Sequence, residues 1–150
     1  MPLGPTFAIL AALIVATTAL GLLWRARTGR VRTVSSRHPD AVRIPEVAVA
    51  DRATLLQFST EVCAPCVPTR RLLGEIADAT DGVAHVDLDL TNRPDLAARF
   101  NVLQTPTTLI LDGDGVIRAR IGGAPRRDDV RRALDEVLHG QPRATPAVAA

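Results

Sequence analysis

Thr54-Leu55-Leu56-Gln57-Phe58, a gap of four residues, and then Cys63-Ala64-Pro65-Cys66: this stretch sets both the fold and the chemistry. Five strand-forming residues lead into a pair of cysteines one helical turn apart, and these are the only cysteines among the 150 residues. Residues 64–79 follow with Val67, Leu72, Leu73, Ile76 and Ala77 at helical spacing, and Gly82 stands in the next turn. A strand, a tight turn and a Cys-x-x-Cys opening a helix make one thiol acidic and put the other within bonding reach. The local sequence is that of a redox couple.

The rest of the domain is read outward from this unit. Val83-Ala84-His85-Val86-Asp87-Leu88 alternates at period two and predicts a second strand. Pro94 opens a short helix through Phe100, with Asn101 as a left-handed terminator. Thr107-Thr108-Leu109-Ile110-Leu111 and Val116-Ile117-Arg118-Ala119-Arg120-Ile121 flank Asp112-Gly113-Asp114-Gly115, which is a hairpin signal. A last helix over 128–139 carries Val130, Ala133, Leu134, Val137 and Leu138 on one stripe, two Asp at its positive end and Gly140 as its stop. Residues 44–51 are apolar but short and fit an edge strand or a short helix equally. The order β-α-β-α-β-β-α predicts an α/β domain, a central mixed sheet flanked by helices.

The N-terminal residues belong to a different solvent. No charged side chain occurs from Leu3 to Trp24. As a helix these residues extend roughly 33 Å, enough for a bilayer core of about 30 Å. A cleaved signal peptide fits poorly, because there is no basic segment before the apolar run and no small-x-small site after it. A lipoprotein anchor would need a cysteine that is absent there. The expected organisation is a transmembrane anchor over 1–24, a basic juxtamembrane linker over 25–43, the α/β domain over 44–140 and a disordered tail over 141–150.

Charge orients the anchor. Residues 1–43 carry six Arg against one Asp, whereas residues 44–150 carry twelve Arg against fifteen acids. The sequence pI of about 9.0 therefore reflects the juxtamembrane segment, where Arg can meet anionic headgroups. Arg25, Arg27, Arg30 and Arg32 follow the apolar span directly, so the positive-inside rule places residues 25–150 in the cytoplasm of a single-pass protein. Two cysteines at Cys-x-x-Cys spacing suit that reducing compartment. All eighteen basic residues are Arg, a bias that with the abundant Ala suggests a GC-rich bacterial genome and hence a bacterial cell membrane. Arg interleaved with Asp and Glu in the domain gives no nucleic-acid footprint.

Strand, Cys-x-Pro-Cys, helix, strand, helix, Thr-Pro-Thr before a hairpin and Gly-Gly after it: over about residues 45–140 this chain resembles the thioredoxin family. Leu103-Gln104-Thr105-Pro106-Thr107 matches the family segment that holds a cis-proline facing the cysteines, and Gly122-Gly123 matches the glycines lining the same groove. The resemblance implies a thioredoxin fold and a thiol–disulfide oxidoreductase without cofactor or metal. Cys63, expected at the helix N-cap or beside it, is the nucleophile, and Cys66 one turn inward resolves the mixed disulfide. Pro65 fixes the turn between them. Thr105 and Pro106, with Pro65, Val62 and Gly122, form the substrate groove. The partners implied are disulfide-containing proteins and an upstream thiol electron donor.

The chain also departs from the family. A buried acid usually precedes the motif by six positions, where this chain has Gln57, and the lysine often beside it corresponds to His85. Gln57 cannot take a proton, so a proton relay near Cys66 would fall to His85 or water; alternatively His85 is simply packed. Three other roles for the cysteines are weaker. Zinc needs four ligands, and His38, His85 and His139 show no ligand spacing. A structural bridge over so small a loop constrains little of the unfolded chain. Redox-silent relatives usually lose a cysteine. The functional alternatives are an extracytoplasmic reductase of the cytochrome-maturation type, which would carry an insertion not seen between Cys66 and Pro106, and a redox-silent membrane adaptor.

Overall fold

The computed structural model describes residues 3–27, 31–33 and 47–140, with side chains over 7–23 and 47–140. Helix α1 runs from Leu3 to Arg27 and strand β1 from Val31 to Thr33. Strand β2 (Ala53–Ser59), helix α2 (Cys66–Asp78), strand β3 (Val83–Asp89) and helix α3 (Pro94–Arg99) follow. Strands β4 (Thr107–Asp112) and β5 (Ile117–Gly122) form the hairpin, and helix α4 (Arg127–Gly140) closes the chain. The sheet order is β1-β5-β4-β2-β3, with β2 and β3 parallel and the other neighbours antiparallel. This is the expected mixed sheet flanked by helices.

Alternation along β2 explains the two layers. Ala53 and Leu55 pack with Ile110, Ala119 and Ile121 against Leu73, Ile76, Val130, Ala133 and Leu134 of α2 and α4. Leu56 and Phe58 point the other way, onto Leu96 and Phe100 at α3, where the Phe58 and Phe100 rings lie 5.4 Å apart. All seven residues of β2 are buried, as a central strand covered on both faces requires. The strand that leads into the cysteines is thus held from both sides.

Turn chemistry accounts for the connections. Asn101 takes a positive φ of 48° after α3, as its sequence position predicts. The Arg120 guanidinium donates to the carbonyls of Phe100 and Asn101 at 2.7 and 2.6 Å, satisfying acceptors left at that helix end. In the hairpin the fully buried Asp112 carboxylate accepts the backbone N–H groups of Asp114 and Val116 at 3.0 and 2.9 Å and Arg118 Nε at 2.5 Å.

The N-terminal expectations change in detail. Val31–Thr33, within the stretch read as a solvated linker, is an edge strand paired with Ala119–Ile121 of β5. Two β-branched residues suffice there because the ladder is supplied by the partner strand. Residues 47–50 have no regular secondary structure, though Val47 is buried in the α3-side core. Residues 28–30 and 34–43 of the expected linker, residues 44–46 at the start of the expected domain and the tail over 141–150 lie outside the described residues. Helix α1 is helical across the expected anchor and leaves Phe7, Ile9, Leu10, Leu13 and Ile14 exposed. Among the described residues no helix is long and apolar enough to cross a membrane; α1 side chains are described only over 7–23, about 25 Å of helix.

Candidate active site

The chain leaves β2 at Ser59 and reaches the cysteines through a loop tied to the segment that follows β3. Leu90 N donates to Ser59 O at 2.8 Å, and Glu61 N donates to Thr91 Oγ1 at 3.0 Å. Cys63 N then donates to Thr60 O, and Cys66 N to Cys63 O at 3.1 Å. That last bond closes the Cys63-Ala64-Pro65-Cys66 turn, so Cys66 is the first helical residue and Pro65 the N-cap, at φ −73° and ψ −8°. Cys63 therefore lies two residues before the N-cap of α2, where it was expected at the cap or beside it. Pro65 suits its place, since it needs no N–H, and its carbonyl accepts Thr69 Oγ1 at 2.8 Å.

The two sulfurs are bonded to each other, with Cα atoms 5.4 Å apart. Their environments differ. Cys66 is 2% exposed, whereas Cys63 is half-buried at the surface. An incoming reactant meets Cys63 first.

Behind Cys66 lies a polar row that crosses the sheet. Gln57 is fully buried, and its Nε2 donates to Cys66 O at 3.1 Å. Its cross-strand neighbours are Asp87 on β3 and Thr108 on β4. Gln57 Oε1, Asp87 Oδ1 and Thr108 Oγ1 are buried with no hydrogen-bond partner in the protein. The other carboxylate oxygen of Asp87 pairs with Arg70 of α2, one turn beyond Cys66. His85 is two pairs farther from the motif, opposite Leu55. It lies beneath Gly74, eight residues along α2 from Cys66, or about 12 Å of helix. Burial lowers the His85 imidazole below its usual pKa; Asp87 opposes that shift and Arg70 adds to it. Of the two positions weighed for a proton relay, Gln57 touches the Cys66 carbonyl and His85 packs elsewhere.

The groove residues converge from separate elements. The Thr105–Pro106 bond is cis, as the resemblance implies. Pro106 is buried, and its carbonyl accepts Gly123 N–H at 2.7 Å. Gly122 pairs with Thr107 at the end of β5. The hydroxyls of Thr105 and Thr60 are 3.3 Å apart, which links the proline loop to the loop before Cys63. The rim is aliphatic: Val62 is 95% exposed, Leu103 85% and Val67 half so. Sequence reasoning found Val62 but missed Thr60, Val67, Leu103 and the Asp87–Gln57–Thr108 row. The alternation of β3 put His85 and Asp87 on one face; nothing local said which strand that face adjoins.

A mixed sheet that delivers a surface cysteine, a buried partner and a cis-proline to one end defines a thiol–disulfide oxidoreductase. The family model for thioredoxin matches residues 43–136, and the chain belongs to the thioredoxin family. The thioredoxin of Mycobacterium tuberculosis is 32% identical over 113 residues, covering 74% of this chain and 96% of that protein. The thioredoxin of Chlorobaculum thiosulfatiphilum is 27% identical over 92 residues, 61% of this chain and 84% of that one. Among solved structures, a mutant thioredoxin from Halobacterium salinarum superposes with a TM-score of 0.55 at 22% identity, covering 61% of this chain and 80% of that chain, a likeness of fold. The family implies disulfide substrates and a thiol reductant.

Proposed function

We propose that this protein is a membrane-tethered reductase of protein disulfides in which Cys63 attacks and Cys66 resolves. The Cys63 thiolate displaces one sulfur of a substrate disulfide, forming a mixed disulfide and releasing the first substrate thiol. The Cys66 thiolate then attacks Cys63 Sγ, and the second substrate thiol leaves. Two electrons have passed to the substrate, and the Cys63–Cys66 disulfide remains for an upstream thiol donor to reduce. The contrast in exposure between the two bonded sulfurs carries this assignment of roles. Pro65, Thr105, Pro106, Val62 and Gly122 form the surface that receives the substrate chain. His85 fills space under α2, and Gln57 fixes the Cys66 carbonyl.

The uncharged run from Leu3 to Trp24 and the cluster of Arg after it support a single-pass anchor with the domain in the bacterial cytoplasm. The test uses the full chain in detergent, insulin as substrate and dithiothreitol as electron donor. Cys63→Ser should abolish turnover, while Cys66→Ser should accumulate a dithiothreitol-sensitive adduct with insulin. Equal loss in both variants with no adduct refutes the order of attack. Full function of Cys63→Ser in cells would favour the adaptor. A C-terminal reporter active only outside the cytoplasm tests the orientation.

A further inference from the structure

We infer that the tether holds the Cys63–Cys66 end of the domain against the bilayer, so that the substrate class is a disulfide carried at the membrane surface; this rests on the anchoring proposed above. Strand register fixes which end that is. Strand β1 enters the sheet at Val31, which pairs with Ile121, and leaves at Thr33, which pairs with Ala119. Ile121 is followed by Gly122, which pairs with Thr107, and Thr107 also faces Phe58 of β2. The start of β1, the end of β5, the cis-proline and the loop to Cys63 therefore share one end of the sheet. The Asp112–Val116 hairpin turn is at the other.

Covalent geometry does the rest. Only Thr28, Gly29 and Arg30 separate the end of α1 at Arg27 from Val31. A fully extended chain over that interval reaches at most about 14 Å. On the anchoring proposed above, the uncharged run from Leu3 to Trp24 takes up about 33 Å of the 25-residue helix α1, so a hydrocarbon core of about 30 Å leaves little of the helix over. Val31 is thus confined near the headgroups. Sideways, β1 and β2 are three places apart in the sheet, about 14 Å. Lengthwise, the hairpin turn is the six residues of β5 away, about 20 Å. A domain hung so closely from the active-site end turns Val62, Cys63 and Leu103 toward the surface and the hairpin away. The partner that fits is a membrane-embedded or membrane-bound protein whose disulfide lies near the headgroups.

Energy transfer in vesicles tests the geometry. A donor dye is placed on Cys63 in Cys66→Ser, or on position 114 in a Cys63→Ser, Cys66→Ser, Asp114→Cys chain, with acceptor dyes on lipid headgroups. The Cys63 label should approach the acceptors more closely by about 15–20 Å, the length of β5; equal or reversed distances overturn the inference. If neither chain remains with the vesicles after alkaline washing, the anchoring itself has failed and takes the inference with it. A rate measurement tests the substrate class, using dithiothreitol and a fluorogenic disulfide peptide linked directly to lipid headgroups. Inserting twelve Gly/Ser residues after Gly29 should lower the rate on the linked peptide several-fold and leave the rate on the free peptide unchanged. An unchanged or higher rate on the linked peptide means that the site did not face the surface.

Discussion

Replacing Gln57 by Glu puts a carboxyl group into a fully buried position that has another carboxylate, Asp87, as one of its two neighbours across the sheet. Burial and that like charge both raise the pKa of the new group, and fully buried Glu reaches about 8–9. Arg70 offers no relief, being paired with Asp87. The sign then follows. A carboxyl whose folded pKa exceeds its unfolded value of about 4.3 costs no stability below 4.3, and the cost grows by about 1.4 kcal/mol per pH unit until the folded pKa is reached. Gln57→Glu should therefore be about 1 kcal/mol less stable than the parent at pH 5 and about 4 kcal/mol less stable at pH 7. Against a typical stability of about 5–15 kcal/mol, the second figure is severe.

At the acidic end the protonated carboxyl can still donate to the Cys66 carbonyl, so the site retains the bond that Gln57 Nε2 makes there. Urea unfolding of the oxidised full chain, followed by far-UV circular dichroism from pH 5 to 8, measures the difference. Contributions of His85 are common to both proteins and cancel. A deficit that stays below about 1 kcal/mol at pH 7 and is flat with pH would show the carboxylate solvated or neutralised there, and the reading of a buried polar row behind Cys66 would be wrong.

His85 itself gives the parent a pH dependence. Its folded pKa lies below its unfolded value because of burial, so stability contributed at neutral pH should fall as pH drops through about 6.5, and His85→Leu should flatten the unfolding profile over that range. Gly113→Ala should cost about 1–3 kcal/mol, because a Cβ there collides with the backbone carbonyl of Asp51, whereas Gly122→Ala meets only the flexible tip of Gln104 and should unfold within about 1 kcal/mol of the parent. Asp112→Ala removes the acceptor for two backbone N–H groups and for Arg118, and should destabilise by about 3–5 kcal/mol by the same urea assay.

The parts of this molecule that were legible in the sequence are those where local pattern and long-range packing agree. Thr54–Phe58 reads as a buried strand because it is covered on both faces, and Asp112–Gly115 reads as a hairpin because a carboxylate and two glycines meet the turn's own needs. Strand β1 was illegible for the opposite reason. Three residues carry too little periodicity to distinguish a strand from a linker, and only the free edge of β5 makes them one. The cysteine pair was legible as chemistry but not as geometry. Its helix begins at Cys66, since the Cys66 N–H to Cys63 carbonyl bond makes the motif a turn of its own.

The same distinction bears on the acid that the family usually places before the motif. Read along the chain, Gln57 is a loss, and His85 is the ionisable residue that the comparison suggests in its stead. Read across the sheet, parallel pairing sets Asp87 beside Gln57 and His85 beside Leu55. A carboxylate thus remains beside Gln57, the residue that holds the Cys66 carbonyl, carried by the neighbouring strand and held by Arg70 from α2, while the imidazole is two residues too far back. Side chains two apart on a strand share a face but are separated by roughly 6.6 Å, more than a hydrogen bond can bridge. Register, which no single segment encodes, decides that the group beside Gln57 is Asp87 and not His85.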